Sequence, residues 1–281
     1  MFIALARWLS RRRLSTLHAL GAALGWLVWL ASPAYRRRLR ENAARAGVGP
    51  AAQRASVAEA GRMTLEIPRV WLRPPGVPLA DPVRWEGGAL IERAIERGAG
   101  LLILTPHLGS FEVAAQAYAQ DFGRRQPMTV LYRPARQAAL RALEETARTR
   151  PGLASAPATL AGVRQLLRAL RRGETVALLP DQVPPAGQGV WVPFFGHPAY
   201  TMTLAARLAH QTGATVLLAW CERLPRGTGH VVHMLEPEGE LPEGDEAAAR
   251  HVNAAMEALV RRRPEQYLWG YHRYKEPRRV A

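Results

Sequence analysis

Short apolar runs and longer amphipathic stretches alternate along most of this chain. Gly100 to Leu104, Thr129 to Tyr132, Thr175 to Leu179, Thr215 to Cys221 and His230 to Leu235 are the apolar runs. Their length and their apolar or β-branched content predict buried strands. Periodic segments surround them at Pro50 to Ile67, Gly88 to Arg97, Ala135 to Arg148, Thr159 to Arg172, Thr201 to Thr212 and Ala247 to Arg262. A further helix starts after Ser110, a good N-cap, with Phe111, Val113, Ala114, Ala117 and Tyr118 as its apolar positions. Strands alternating with helices predict an α/β fold, a mostly parallel central sheet flanked by helices. No fixed-period repeat or low-complexity linker interrupts the pattern.

The amino-terminal segment follows a different rule. Leu14 to Ala31 is apolar except for Ser15, Thr16 and His18, with Trp26 and Trp29 near its far end. Arg11, Arg12 and Arg13 precede it, and Arg36, Arg37, Arg38 and Arg40 follow. A bilayer span needs about 20 predominantly apolar residues, so this helix is at the short limit. Arginines at both ends suit a helix that dips into or lies along one leaflet, with snorkelling guanidinium groups and interfacial tryptophans. A buried core helix and a signal peptide cleaved near Ala31-Ser32-Pro33-Ala34 meet the same test, the second opposed by the arginines directly after it. The chain therefore divides into an anchor segment, 1–40, and one main domain, 41–281.

Charge narrows the partners. The net charge is +15, carried almost wholly by arginine, with Lys275 the single lysine. Phosphates, anionic lipid surfaces and acidic proteins are the partners such a field attracts. Nucleic acid would answer to the same charge, but neither paired Cys/His ligands nor an aromatic single-strand platform is present, so no nucleic acid partner is expected. The one cysteine, Cys221, lies inside an apolar run, which excludes an internal disulfide and makes it a core residue rather than a nucleophile. No histidine pair has metal-ligand spacing, so neither metal nor cofactor is expected.

The candidate chemistry gathers where predicted strands end. His107 and Glu112 stand five residues apart in Thr105-Pro106-His107-Leu108-Gly109-Ser110-Phe111-Glu112, the histidine in a loop and the carboxylate in a first helical turn. If Glu112 accepts from one imidazole nitrogen, the other can take a proton from a substrate hydroxyl. A histidine that packs locally beside an incidental Glu has the same spacing. Arg133 follows another predicted strand in Tyr132-Arg133-Pro134, and Asp181 and Gln182 a third in Pro180-Asp181-Gln182. Alone, Arg133 reads as a solvated charge and Asp181 as a turn residue. Together they occupy the strand carboxyl ends where open α/β sheets build their sites. Trp191 to Phe195 and Gly196-His197-Pro198 are expected as a loop and wall beside that edge.

These motifs bring a family into view. His107-x4-Glu112, Tyr132-Arg133-Pro134, Pro180-Asp181-Gln182, Phe194-Phe195-Gly196 with Thr201, and the block from Pro264-Glu265-Gln266-Tyr267-Leu268-Trp269 to Arg273-Tyr274-Lys275 resemble the bacterial lipid A biosynthesis acyltransferases of lauroyl or myristoyl type. The His-x4-acid motif is shared with the wider glycerolipid acyltransferase superfamily, while the ordered set is more specific. The resemblance implies a glycerolipid acyltransferase-like fold behind a membrane-anchor helix at the bacterial inner membrane, with the site on the cytoplasmic face. It implies acyl transfer from acyl-acyl carrier protein, as co-substrate, to a hydroxyl on an acyl chain of a lipid A precursor. His107 is then the general base, Glu112 its orienting partner, and Arg133, Asp181 and Gln182 substrate-positioning groups. Backbone donors near Ser110 are expected to help hold the oxyanion. An acyltransferase of the same superfamily acting on another membrane lipid, such as a phosphatidylinositol mannoside, shares the His-x4-Glu core. A non-enzymatic membrane scaffold leaves the clustering at strand ends unexplained.

Overall fold

The computed structural model describes residues 2–74, 76–132 and 150–278. Arg133 and the helix expected over Ala135 to Arg148 lie outside the described residues. The centre is a seven-stranded sheet built from β1 (Val83–Glu86), β2 (Leu101–Leu104), β3 (Met128–Tyr132), β4 (Leu153–Pro157), β5 (Thr175–Leu178), β8 (Thr215–Arg223) and β9 (His230–Leu235), in spatial order β1-β9-β8-β2-β5-β3-β4. All neighbours run parallel except β8 and β9, which are antiparallel. The expected mostly parallel α/β architecture is therefore the observed one. β2 and β5 are buried at every residue, as strands covered on both faces must be.

The region expected as a loop and wall is instead an antiparallel hairpin of β6 (Gly189–Phe194) and β7 (His197–Met202). Its two-residue turn, Phe195-Gly196, has positive φ at both positions, the geometry that matches strand twist. Pro193 and Pro198 hide it in the sequence, because proline is atypical of strand interiors. They are tolerated because this hairpin stands apart from the main sheet.

Helices α1 (Phe2–Ser10), α2 (Leu14–Ala31), α3 (Pro33–Arg45) and α4 (Pro50–Trp71) precede the sheet. Helices α5 (Ala89–Arg97), α6 (Phe111–Asp121), α7 (Leu160–Arg171), α8 (Leu204–Thr212) and α9 (Asp245–Arg262) alternate with its strands or follow them. Two apolar clusters fill its two sides, one around Leu102, Leu104, Leu178 and Met256, the other around Ile103, Val113, Ala117 and Tyr118.

Among the described residues α2 is the one helix long and apolar enough to cross a membrane, with a mean hydropathy of 1.5. It is not free along its length. Gly21 and Gly25 meet Gly61 and Val57 of α4 so closely that a Cβ on Gly61 would overlap the Gly21 carbonyl, and one on Gly25 the Val57 carbonyl. Leu20, Trp26, Leu27, Val28 and Leu30 of α2 are exposed, as are Leu5 and Trp8 of α1. Arg12 lies over the Trp8 ring, and Arg36 and Arg40 over Trp29.

Candidate active site

Parallel register builds the site. Leu104 of β2 pairs with Leu178 of β5, and His107 and Asp181 each follow three residues later, so both emerge at the same sheet edge. Asp181 is buried, and its two oxygens receive both nearby donors of His107. Nδ1–H donates to Oδ1 at 2.7 Å, and the backbone N–H donates to Oδ2 at 2.9 Å. A carboxylate only accepts, so the pair fixes the proton on Nδ1 and leaves the Nε2 lone pair outward. Gln182, the next residue, places its side-chain amide nitrogen 2.9 Å from Nε2, where it donates to that lone pair.

The structure thus gives the tautomer-holding position to Asp181, where the sequence spacing points to Glu112. With Nδ1 on Asp181 and Nε2 on Gln182, both ring nitrogens are occupied. Glu112 instead accepts from the Trp71 indole N–H of α4 at 2.9 Å. Its neighbour Phe111 meets the His107 ring edge-on, with centroids 5.0 Å apart. Five residues of sequence place Glu112 near the histidine, but the backbone of the loop turns the histidine's donors toward β5.

Burial alone would raise the Asp181 carboxyl, but the adjacent imidazole, its two hydrogen bonds and the more distant Arg273 outweigh it and bring the pKa below the ordinary aspartate value. Tyr267 is pushed well up, first by burial and then by the Asp181 carboxylate beside it, so it stays a neutral phenol. The pocket in front of His107 is lined by Asp181, Gln182, Tyr35, Tyr267, Leu268, Gly270 and Tyr271 and encloses about 170 Å3. Tyr35, at the start of α3, packs against Gly270, where a Cβ would collide with its ring.

The carboxyl-terminal block acts as a brace. Leu268 N–H donates to the His107 carbonyl at 3.2 Å, and Gly109 N–H to the Gln266 carbonyl at 3.0 Å. The Gln266 side chain bonds both backbone groups of Arg223 at 2.9 Å. Asn42 of α3 donates to the Trp269 and Tyr271 carbonyls at 2.8 and 2.7 Å. Gly109 has φ +62°, and a Cβ there would overlap the Cys221 carbonyl, so this position requires glycine on two grounds.

Two expectations about the loop change. Ser110 occupies the N-cap position of α6, but its hydroxyl donates to Glu66 at 2.6 Å instead of accepting from the helix. Its backbone N–H donates to the Cys221 carbonyl at 2.8 Å and that of Gly109 is also committed, so neither is available to an oxyanion. Cys221 is fully buried and its thiol is pushed up by burial, in keeping with a core residue.

Sequence reading missed a buried charge network behind the loop. Arg223, at the end of β8, donates to both Glu66 oxygens at 3.1 and 2.8 Å, to Glu59 at 2.7 Å and to the Gly109 carbonyl at 3.2 Å. His18 of α2 and His230 of β9 approach the same Glu66 oxygen at 3.4 and 3.5 Å. The signal was a glutamate at a buried position of α4, unreadable until its arginine partner, 157 residues away, is known. Among the described residues no group of three or more His, Cys, Asp or Glu gathers as a metal site.

The sequence model of the family described as bacterial lipid A biosynthesis acyltransferase matches residues 2–276. The lipid A biosynthesis lauroyltransferase of Escherichia coli K12 is 30% identical over 178 residues, 63% of this chain and 56% of that protein. The lipid A biosynthesis palmitoleoyltransferase of the same organism is 29% identical over 194 residues, 68% of this chain and 60% of that protein. A lipid A biosynthesis acyltransferase of Haemophilus influenzae is 30% identical over 179 residues, 64% of this chain and 55% of that protein. The matched region thus spans less than two thirds of the length of these curated relatives.

Proposed function

Because the chain belongs to the bacterial lipid A biosynthesis acyltransferase family, we propose that it is a late acyltransferase of that pathway. In this reading it moves a fatty acyl chain from acyl-acyl carrier protein to a hydroxyl on a hydroxyacyl chain of a lipid A precursor. The observation that carries the reading is the His107–Asp181 pair, which presents an unprotonated Nε2 to the pocket. The acceptor hydroxyl takes the place of the Gln182 amide at Nε2 and gives up its proton there. Its oxygen bonds the thioester carbonyl carbon, and the tetrahedral oxyanion collapses with loss of the C–S bond. The departing thiolate recovers the proton from Nε2, so the enzyme returns to its starting tautomer. Gln182, freed from Nε2, becomes a side-chain donor for the oxyanion.

Glu112 enters this scheme as a second carboxylate that fixes Trp71 beside the site. Arg133 keeps the substrate-positioning role implied by the family motif. The anionic carrier protein and the phosphates of the acceptor both match the +15 charge. Membrane contact falls to the apolar face of α1 and α2, with α2 lying in the cytoplasmic leaflet of the inner membrane. Spanning would drag the facing side of α4 into lipid, with Arg62 against Gly21, Glu66 against His18, and Arg69 bonded to the Arg12 carbonyl.

Lipid mass spectrometry of a host lacking the gene tests the assignment. A lipid A short of one secondary acyl chain is expected. Unchanged lipid A with another membrane lipid altered would transfer the activity to a different acceptor, such as a phosphatidylinositol mannoside.

A further inference from the structure

Several exposed arginines on the helices beside the sheet are answered by carboxylates. Arg93 of α5 faces Glu236, Arg207 of α8 faces Asp245, and Arg250 and Arg261 of α9 face Glu246 and Glu257. Helix α7 differs, for it contains no acid at all. Its Arg164, Arg168 and Arg171 are exposed, with neither an ion pair nor a hydrogen bond among the described residues. At about 3.6 residues per turn these three and Leu160 fall within roughly 80° of arc. That arc is opposite Gly162, Leu166, Ala169 and Leu170, which are buried where α7 packs on β3, β4 and β5. Leu160 is 68% exposed, the most of any large hydrophobic side chain among the described residues, and gives the cationic stripe an apolar end.

The sheet places that end on the side of the catalytic pocket. β4 and β5 both run parallel to β3, with Ser155 level with Val130 and Val130 with Ala177, so α7 begins at the edge from which Asp181 emerges. Two strand spacings, about 10 Å, separate β4 from β5. The lipid-facing elements are elsewhere. α2 starts against the turn joining β8 and β9, where Gly227 meets Leu14 and Ser15, and β9 stands five strand positions from β4, or about 24 Å. The α7 stripe is therefore remote from the apolar face of α1 and α2. Its cations are spread over about 10 Å of helix, at 1.5 Å per residue, which matches a row of carboxylates on a protein surface and not a single phosphate.

We propose that Leu160, Arg164, Arg168 and Arg171 form the docking face for the acidic carrier protein that delivers the acyl thioester. The identity of that partner rests on the acyltransferase reading. Charge complementarity sets the fit, with the arginines meeting carboxylates of the carrier while Leu160 meets an apolar residue at the end nearest the pocket. The phosphopantetheine arm then crosses the sheet edge to His107 from the end of the sheet away from the lipid.

The test uses the full chain in detergent with two donors, acyl-acyl carrier protein and the same acyl group on N-acetylcysteamine, which brings no protein surface. In Arg164→Glu/Arg168→Glu/Arg171→Glu, KM for the carrier-protein donor should rise about thirtyfold, with kcat and KM for the N-acetylcysteamine thioester changed by less than about twofold. The triple glutamine variant should show a smaller rise, and the triple lysine variant should stay close to wild type. Added salt should raise the wild-type KM for the carrier-protein donor and leave that of the glutamine variant nearly flat. Fluorescence anisotropy of labelled carrier protein should give the same order of affinities without turnover. Arg250→Gln, on the exposed face of α9, serves as the unaffected control.

Equal KM rises with both donors, an unchanged KM for the carrier-protein donor, or carrier binding unaffected by the triple reversal would each overturn the docking face. Loss of binding to anionic lipid vesicles in the triple glutamate variant, with carrier binding intact, would give α7 to the membrane instead. A protein that transfers no acyl chain yet binds carrier protein through these arginines would keep the docking face and lose the acyltransferase reading.

Discussion

Replacing Asp181 by asparagine keeps the shape of the site and removes half of what the carboxylate does. In the native protein one group accepts two hydrogen bonds from His107, at 2.7 and 2.9 Å. Bonds to a charged acceptor contribute about 1.5–3 kcal/mol each. Asparagine has one acceptor and one donor for those two positions. Its oxygen best serves the backbone N–H, which cannot move its proton, so the amide NH2 faces Nδ1 and forces the ring proton onto Nε2. The base is then protonated at the atom that must accept, and the Gln182 amide flips to accept from it. Loss of the tautomer-holding carboxylate lowers kcat by about 10^4 in serine hydrolase triads, or roughly 5 kcal/mol at 1.36 kcal/mol per decade. A fall of about 10^3–10^4 is expected here, with thermal stability reduced by only a few degrees. Turnover should be read beside the 15N shifts of the His107 imidazole, which report the tautomer directly. Glu112→Gln, which retains an acceptor for Trp71, should leave that tautomer unchanged. An Asp181→Asn protein with kcat within tenfold of wild type, or with Nδ1 still protonated, would remove Asp181 from the tautomer-holding role. A proton moved by Glu112→Gln instead would return the role to Glu112.

Gly109→Ala should lower the melting temperature by roughly 5–10 °C, since a left-handed alanine costs about 1–2 kcal/mol and overlap with the Cys221 carbonyl adds to it; an unchanged melting temperature would contradict the loop geometry. Burial tends to raise the Glu66 carboxyl, but Arg223, His18 and His230 hold it well below the usual glutamate value. Its contribution to stability is thus present above the unfolded carboxyl pKa, about 4.3, and is lost as pH falls through the folded value. Glu66→Gln should therefore cost stability at pH 7 and flatten the fall between pH 5 and 3 in thermal melts; an unaltered acid slope would show that the network does not titrate as described. Cysteines placed at Arg12 and at Arg36, on either side of α2, should both react with an impermeant thiol reagent from the cytoplasmic face of membrane vesicles; labelling from opposite faces would mean that α2 spans.

What the sequence shows about the fold depends on how completely each element is buried. β2, β5 and β8 are apolar nearly throughout and are legible as strands. β1 alternates half-buried with exposed residues and has only Val83 and Trp85 to mark it, and β4, Leu-Ala-Ser-Ala-Pro, is too small and polar to stand out. The site divides in the same way. His107, Asp181 and Gln182 are each visible as residues after a strand end, because their position depends only on local pattern. Their mutual pairing depends on β2 and β5 being sheet neighbours in register, Leu104 against Leu178, and no local signal specifies which parallel strands adjoin. Glu112 takes the partner's role in the sequence because proximity along the chain is all the sequence offers. The Pro-Glu-Gln-Tyr block marks the family in the sequence, while its physical work, bracing the His107–Gly109 backbone, emerges only from the contacts of Gln266 and Leu268.

The most direct test of the account is acyl transfer by the purified full chain, with acyl-acyl carrier protein as donor and a lipid A precursor as acceptor, read by product mass. Wild type should add one acyl chain, and His107→Gln, folded by circular dichroism and still membrane-bound, should add none above background. Undiminished transfer by His107→Gln, or none by wild type, would contradict the assignment of His107 as the base of a lipid A acyltransferase.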